Sequence, residues 1–477
     1  MVSAEVAPFA KTGGLADVVG SLPPALRALG HDVAAVLPRY TGIGLKSAHR
    51  VWDHLWVYLG PAAYDCTIYQ AAAAFPVYLV DCPALFNLDR KGLYGENGDD
   101  YPDNHIRFAV LARAALGVAR NLFRTEIFHC HDWQAGLIPA YLRTTFAGDP
   151  TYLGCRTIFT IHNLGYQGLF PKTALAELAL DPGLFVPDGL EFFGNVSYIK
   201  SGIAFSDAVT TVSPTYAREI QTPEYGFGLD GALRARAGAL TGILNGVDYN
   251  EWSPEVDPLI PAHYSARDLS GKEICKRKLL EEFGLPAAAM DRPVFGIVSR
   301  LTRQKGADIL ADVAAQIVAE DVYLAALGTG EPEYEDFFRR LQAEHPGRVA
   351  VHIGFNNALA HLVEAGSDIF LMPSHYEPCG LNQIYSLRYG TPPVVRATGG
   401  LEDTIDGETG FKFWQYSGDS LLGAVRAALF AFEDRDGWKE RMRRGMARDF
   451  SWQASAAAYS ELYRRVSAKP AAMAGAA

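Results

Sequence analysis

Cysteine is scarce and unpaired in this sequence: Cys66, Cys82, Cys130, Cys155, Cys275 and Cys379 form no CxxC pair and sit in apolar or motif contexts. That pattern argues against a disulfide scaffold and for reduced thiols in a cytosol. No apolar run approaches the roughly 18 residues of a membrane span, and no secretory signal precedes the first motif, so a soluble cytoplasmic protein with no membrane partner is expected. Positive charge is in short supply as well. A formal charge of −11 and a pI near 5.6, with no basic stripe, argue against nucleic acid as a partner. An acidic protein that binds an anion must therefore concentrate its Lys and Arg locally. No G-x-G-x-x-G opens the first βα unit with an acidic residue about 20 positions beyond it, which weighs against an NAD-dependent oxidoreductase.

What the chain does have is length and alternation. Its 477 residues exceed the roughly 250–300 at which one core stops growing, so two domains are expected. Short β-rich apolar runs alternate with helical patterns: Val33–Leu37, Ile127–Cys130, Thr157–Ile161 and Ala208–Val212, then Val294–Ser299, Tyr323–Leu327, Val349–Ile353, Ile369–Pro373 and Pro393–Val395. Strands spaced by helices predict α/β domains built on parallel sheets, with active sites at the carboxyl edges. Domains are expected at 1–250 and 251–450, with a proline-rich crossover near 248–258. Residues 451–477 are read as a final helix, Ala456–Val466, packing back on the N-terminal domain, followed by a frayed low-complexity tail. Doubly wound domains open with a strand of roughly five residues. Only Met1-Val2-Ser3-Ala4-Glu5 is available here, so the first strand is expected to be clipped or to begin upstream.

The tetrapeptide Thr-Gly-Gly-Leu occurs twice, at Thr12–Leu15 and Thr398–Leu401, each followed two residues later by an aspartate, Asp17 or Asp403. Glycines let backbone N–H groups approach a ligand without Cβ obstruction, and a helix start favours anions. A lone glycine pair is commonly just a turn. Lys11 ahead of Gly13 and Gly14 shifts the first copy toward a loop for phosphate or sugar, with Asp17 accepting a sugar hydroxyl. Ala397 stands in the cation's place in the second copy, which is read as closure or packing.

Four other segments carry chemistry. His129-Cys130-His131-Asp132 contains metal-ligand types, but no distant Cys or His has ligand spacing, so no metal is expected and Asp132 is read as the polar end of a buried strand. His162 and Asn163 end another apolar strand beside Gly165, a pattern suited to holding a polyol. Arg300 and Lys305 follow a strand and open a helix, where two cations add to a positive dipole end. Glu377-Pro378-Cys379-Gly380-Leu381 lies at a strand-to-helix turn, with the helix beginning at Gly380 and its N–H groups ready for phosphate.

In this order, with Asn245-Gly246-Val247-Asp248 between them, these motifs resemble the family of bacterial glycogen synthases and plant starch synthases. The resemblance runs from Ser3 to about residue 465. It implies the GT-B fold, two Rossmann-like domains facing a central cleft, and transfer of glucose from ADP-glucose to the non-reducing end of an α-1,4-glucan with retention. It implies no cofactor and no required metal. By resemblance His162 supplies main-chain electron density to the anomeric carbon, Asn163 orients the sugar, Glu377 holds donor hydroxyls, and Asp132 supports acceptor or sugar positioning. Arg300, Lys305 and the N–H groups around Cys379, Gly380 and Leu381 take the leaving diphosphate. Asn245 joins the substrate-binding set, and Gly354-Phe355 resembles the turn whose aromatic stacks on the base. Related enzymes carry a second glutamate eight residues after the first, where this chain has Tyr385, as is usual in the family. Three readings compete with the synthase: a glucan phosphorylase with lysine-bound pyridoxal phosphate, a glucan-binding homologue without turnover, and a UDP-glucose-using transferase.

Overall fold

The structure is a computed structural model and describes residues 1–88, 90–96 and 98–468; the tail expected at 469–477 lies outside the described residues. The chain forms two compact units. The first comprises Met1–Val212, Ala217–Gly246 and the chain from Trp452 onward; the second comprises Val247–Ser451 together with Ser213–Tyr216. The passage between units thus falls at Gly246/Val247, ahead of the proline-rich stretch. Ser213–Tyr216 belongs to the second unit because Ser213 Oγ donates to the Pro378 carbonyl at 2.6 Å and Thr215 bonds both oxygens of Asp403 at 2.7 Å.

In the first unit, Leu240–Gly242, Ala208–Thr211, Arg156–Ile161 and Ile127–His131 lie side by side in parallel. Ala35–Pro38 pairs in parallel with Val77–Asp81, and the strands Ala62–Ala71 and Ala48–Leu59 continue that edge antiparallel. Val2 joins the two groups, bridging in parallel to Cys130 on one side and Val36 on the other. Its N–H donates to His129 O at 2.9 Å, and His131 N–H returns to Val2 O at 3.0 Å. In place of a full first strand, Val2 alone bridges the two groups at the centre of the sheet. The strand order reverses here: strands later in the chain lie on one side of Val2 and those that follow it directly lie on the other. Open α/β sheets bind ligands outside the carboxyl ends at such a switch point, and residues 5–14 and 132 emerge there.

The helix Gly14–Ala28 buries Leu15, Val18, Val19, Leu22 and Leu26 on one face. Its partner is the helix Trp452–Ser467, longer than expected, whose Trp452, Ala456, Tyr459, Leu462, Tyr463 and Val466 share a core cluster with Val18, Leu22 and Leu26. Each large apolar side chain so covered contributes about 1.5–3 kcal/mol.

The second unit carries a wholly parallel six-stranded sheet in the order Val349–Ile353, Tyr323–Gly330, Val294–Leu301, Ile369–Met372, Pro393–Arg396, Phe411–Phe413. In chain order that is 3-2-1-4-5-6, so the switch point lies between Val294–Leu301 and Ile369–Met372. The expected strands are all present. Val77–Asp81, Leu240–Gly242, the antiparallel hairpin Ala48–Ala71 and the edge strand Phe411–Phe413 lie outside the expected set: the hairpin mixes exposed Trp56 and Tyr58 with charged residues, and Leu240–Gly242 and Phe411–Phe413 are only three residues long. Among the described residues no helix is long and apolar enough to cross a membrane.

Candidate functional site

In the first unit the glycine loop is fixed by a residue the sequence reading passed over, Glu5. Its buried carboxylate accepts from Thr12 N and Thr12 Oγ1, both at 2.5 Å, from Gly13 N at 3.3 Å and from the Tyr94 hydroxyl at 2.5 Å. An acidic residue at the end of the first strand was the available signal. Gly13 is extended at φ −160°, and a Cβ on either Gly13 or Gly14 would meet nothing within 4 Å. Exposed Lys11 places Nζ 2.6 Å from Asp17 Oδ1, so in this structure the two candidate groups pair with each other.

Asp132 follows the strand Ile127–His131 with φ +56° and ψ −177°, a backbone conformation that costs a non-glycine residue about 1–3 kcal/mol. Its N–H is anchored on Thr160 O at 2.9 Å, and its Oδ1 accepts the His162 N–H at 2.7 Å. Asp132 thereby holds the backbone of the next strand's end. His162 is buried and meets His131 through Nε2 to Nδ1 at 3.0 Å. Asn163 Oδ1 accepts from Gly165 N at 3.0 Å and shapes the turn. Asn245 is buried in this unit with an Oδ1 that has no partner among the described residues.

Burial pushes the Asp132 carboxyl up to about 7 from 3.8; the N–H groups of His162 and Asn163 oppose the rise, and the Glu5 charge adds to it. A folded value above the unfolded one means the native state keeps a proton that the unfolded chain sheds between about pH 4 and 7. Stability is full below that window and is lost as pH rises through 7. Denaturant titrations at pH 5 and pH 8 should show the wild type losing about 3 kcal/mol relative to Asp132→Asn. Equal losses in the two proteins would mean that Asp132 does not titrate there.

In the second unit Lys305 and Glu377 meet across the switch point. Lys305 Nζ lies 2.5 Å from Glu377 Oε2, which also accepts Ser374 Oγ at 3.1 Å. Arg300 does not join this pair: it is exposed, and its Nη2 donates to Gln304 Oε1 at 3.2 Å. Gln304 in turn ties the two loops, its carbonyl accepting His375 N at 2.8 Å. Close approach is allowed by Gly306, at φ +80°, where a Cβ would lie 2.1 Å from Pro373 O.

The helix expected from Gly380 starts instead at Asn382, because Gly380 takes φ +70° and Leu381 caps the helix. Likewise Arg303–Lys305 forms a 3₁₀ turn, and the following helix begins at Ala307. Cys379 is buried beneath the turn, and Phe355, after Gly354 at φ +141°, is 89% exposed. Tyr385 stacks on Trp252 at 4.0 Å with 7° between the planes, and Trp252 stacks on His361 at 3.7 Å. A carboxylate at position 385 would be buried against that stack.

Residues 1–235 match the family model described as starch synthase catalytic domain, and residues 281–445 match glycosyl transferases group 1. The chain is similar to glycogen synthase of Koribacter versatilis (strain Ellin345), 50% identical over 97% of both chains. It is 51% identical to glycogen synthase of Anaeromyxobacter dehalogenans (strain 2CP-C), over 97% of this chain and 98% of that one. Among solved structures it resembles the catalytic domain of starch synthase IV from Arabidopsis thaliana bound to ADP and acarbose, with TM-score 0.89, 33% identity and coverage of 98% and 99%. Sucrose-phosphate synthase from Thermosynechococcus elongatus, at 18% identity and TM-score 0.61 over 98% of both chains, shares the fold. With parallel sheets flanked by helices in each unit, the fold is GT-B α/β. Identity of one half over nearly the full length places the chain in the glycogen and starch synthase family of glycosyltransferases.

Proposed function

We propose that the protein transfers glucose from ADP-glucose to the non-reducing end of an α-1,4-glucan, with retention, in the cytoplasm and without a cofactor. The observation that carries this reading is the Lys305–Glu377–Ser374 cluster at the switch point of the second unit. The ammonium has three N–H donors and spends one on Glu377, which leaves donors for the charge that grows on a departing diphosphate. Arg300 and the N–H groups around Gly380 are assigned to the same anion, and exposed Phe355 to stacking on the base.

Glu377 is buried, paired with Lys305 and bonded by Ser374. Such a carboxylate is suited to accept sugar hydroxyls and poorly placed to attack carbon. The carbonyl of His162 is assigned to the positive charge developing at the anomeric carbon, with Asp132 fixing that peptide through its N–H. With Glu377 committed to Lys305 and Ser374, and Asp132 to the His162 N–H, front-face departure and return is favoured over a covalent intermediate. Lys11, Gly13, Gly14, Asn163 and Asn245 are assigned to sugar or acceptor.

Purified protein with glycogen primer should release ADP from ADP-glucose faster than UDP from UDP-glucose. Release of UDP alone would replace the donor, and release of neither would leave a glucan-binding protein without turnover.

A further inference from the structure

Three imidazoles cluster at the ends of two adjacent strands in the first unit, and the proposed reaction uses only one of them. His129 is tied on both nitrogens, Nδ1 to the Tyr463 hydroxyl at 2.8 Å and Nε2 to Thr160 Oγ1 at 2.6 Å. His131 stacks on it, with centroids 4.1 Å apart and planes 29° apart, and reaches Nε2 of His162 through its own Nδ1 at 3.0 Å. The remaining Nε2 of His131 is buried with no partner among the described residues. Burial holds all three rings neutral, pushing His129 and His131 well below the ordinary imidazole range and His162 down to about 3.

Two neutral imidazoles joined by one hydrogen bond hold one proton between them, and its position fixes both tautomers. If His162 donated, His131 would carry its proton on Nε2 and leave an N–H orphaned in a dry interior. If His131 donates, only a lone pair is left there. Buried N–H groups without acceptors are rarer in folded proteins than under-used acceptors, so the second arrangement prevails.

We infer that His131 is a positioning residue for the transfer: donating from Nδ1 to Nε2 of His162, it locks that ring and places the remaining His162 proton on Nδ1, so the imidazole meets the sugar as a donor. The stack on His129 prevents the His131 ring from turning, and Tyr463, from the C-terminal helix, anchors the stack. The catalytic consequence rests on the proposed glucosyl transfer; the tautomer does not.

With nitrogen-15 histidine in the whole protein, a two-bond hydrogen–nitrogen correlation spectrum reads which nitrogen of each ring is protonated. The His162 signals, identified by their loss in His162→Gln, should show Nδ1 protonated. In kinetics, His131→Leu should lower kcat at least about tenfold while donor KM moves less than about threefold. His131→Asn, whose amide can present an N–H where Nδ1 stood, should stay within about threefold of wild type. Protonation of His162 on Nε2 in the wild type overturns the inference whatever the variants do. An unchanged kcat in His131→Leu, or an equal fall in His131→Asn, overturns it as well. A wild type that is inactive on both nucleotide sugars but protonated on His162 Nδ1 would refute the transfer and support the tautomer.

Discussion

Lys305→Ala is expected to lower kcat by about two to three orders of magnitude, the scale for losing one preorganised group at a developing charge. Lys439→Ala, on the exposed face of the helix Arg435–Met446, should leave it unchanged. The comparison needs a control for stability. The side chains of Lys305 and Glu377 are only 20% and 7% exposed, so removing the ammonium strands a buried carboxylate, a loss of about 3–5 kcal/mol. Lys305→Ala should therefore also unfold at lower denaturant. Adding Glu377→Gln removes the stranded charge and should restore much of that stability, yet kcat should stay low because the diphosphate still lacks its cation and the donor hydroxyls lack the Glu377 carboxylate. If the double variant regains activity with its stability, Lys305 serves the fold and the leaving-group role is wrong. If Lys439→Ala loses as much as Lys305→Ala, the role is wrong too.

The two units and nine of the parallel strands were legible because parallel, doubly covered strands read as short apolar runs between helical patterns. Lys305 and Glu377 were legible for a related reason: each sits just past the end of such a run. What escaped the sequence reading depends on register between distant strands. His131 meets His162 because Ile127–His131 pairs with Arg156–Ile161 so that His131 stands opposite Thr160, and nothing local to either residue announces it. Glu5 in the sequence is only the last residue of a short opening run, whereas Val2 bridging to Cys130 and Val36 holds that run at the sheet's centre and sets Glu5 under the glycine loop. Helix starts shifted by a few residues where a glycine takes a left-handed conformation, as Gly380 and Gly306 do, because a glycine in sequence does not disclose its φ.

The two Thr-Gly-Gly-Leu copies give the second large prediction, because the same four residues are glycine-rich for opposite reasons. At Gly13 and Gly14 neither crowding nor backbone conformation requires glycine: an added Cβ meets nothing within 4 Å, and Gly13 is extended. At Gly399 the φ is +45° and a Cβ would lie 1.9 Å from the Glu377 carbonyl oxygen; at Gly400 it would lie 2.1 Å from that of Cys379. The second copy is packed against the turn that presents Glu377 to Lys305, and Gly400 N–H donates to Glu377 O at 3.1 Å. Gly399→Ala and Gly400→Ala should each cost about 3 kcal/mol or more, lowering the melting temperature by about 6–12 °C and taking activity down with it. Gly13→Ala and Gly14→Ala should melt with the wild type and lose kcat/KM at least about tenfold, since the space the methyl enters is the space a ligand needs. Thermal melts and donor kinetics on the four single variants separate the cases. A Gly13→Ala protein that melts as low as Gly399→Ala would make the first loop structural and remove its assignment to substrate. One that melts normally and transfers glucose at the wild-type rate would remove that assignment without touching the fold.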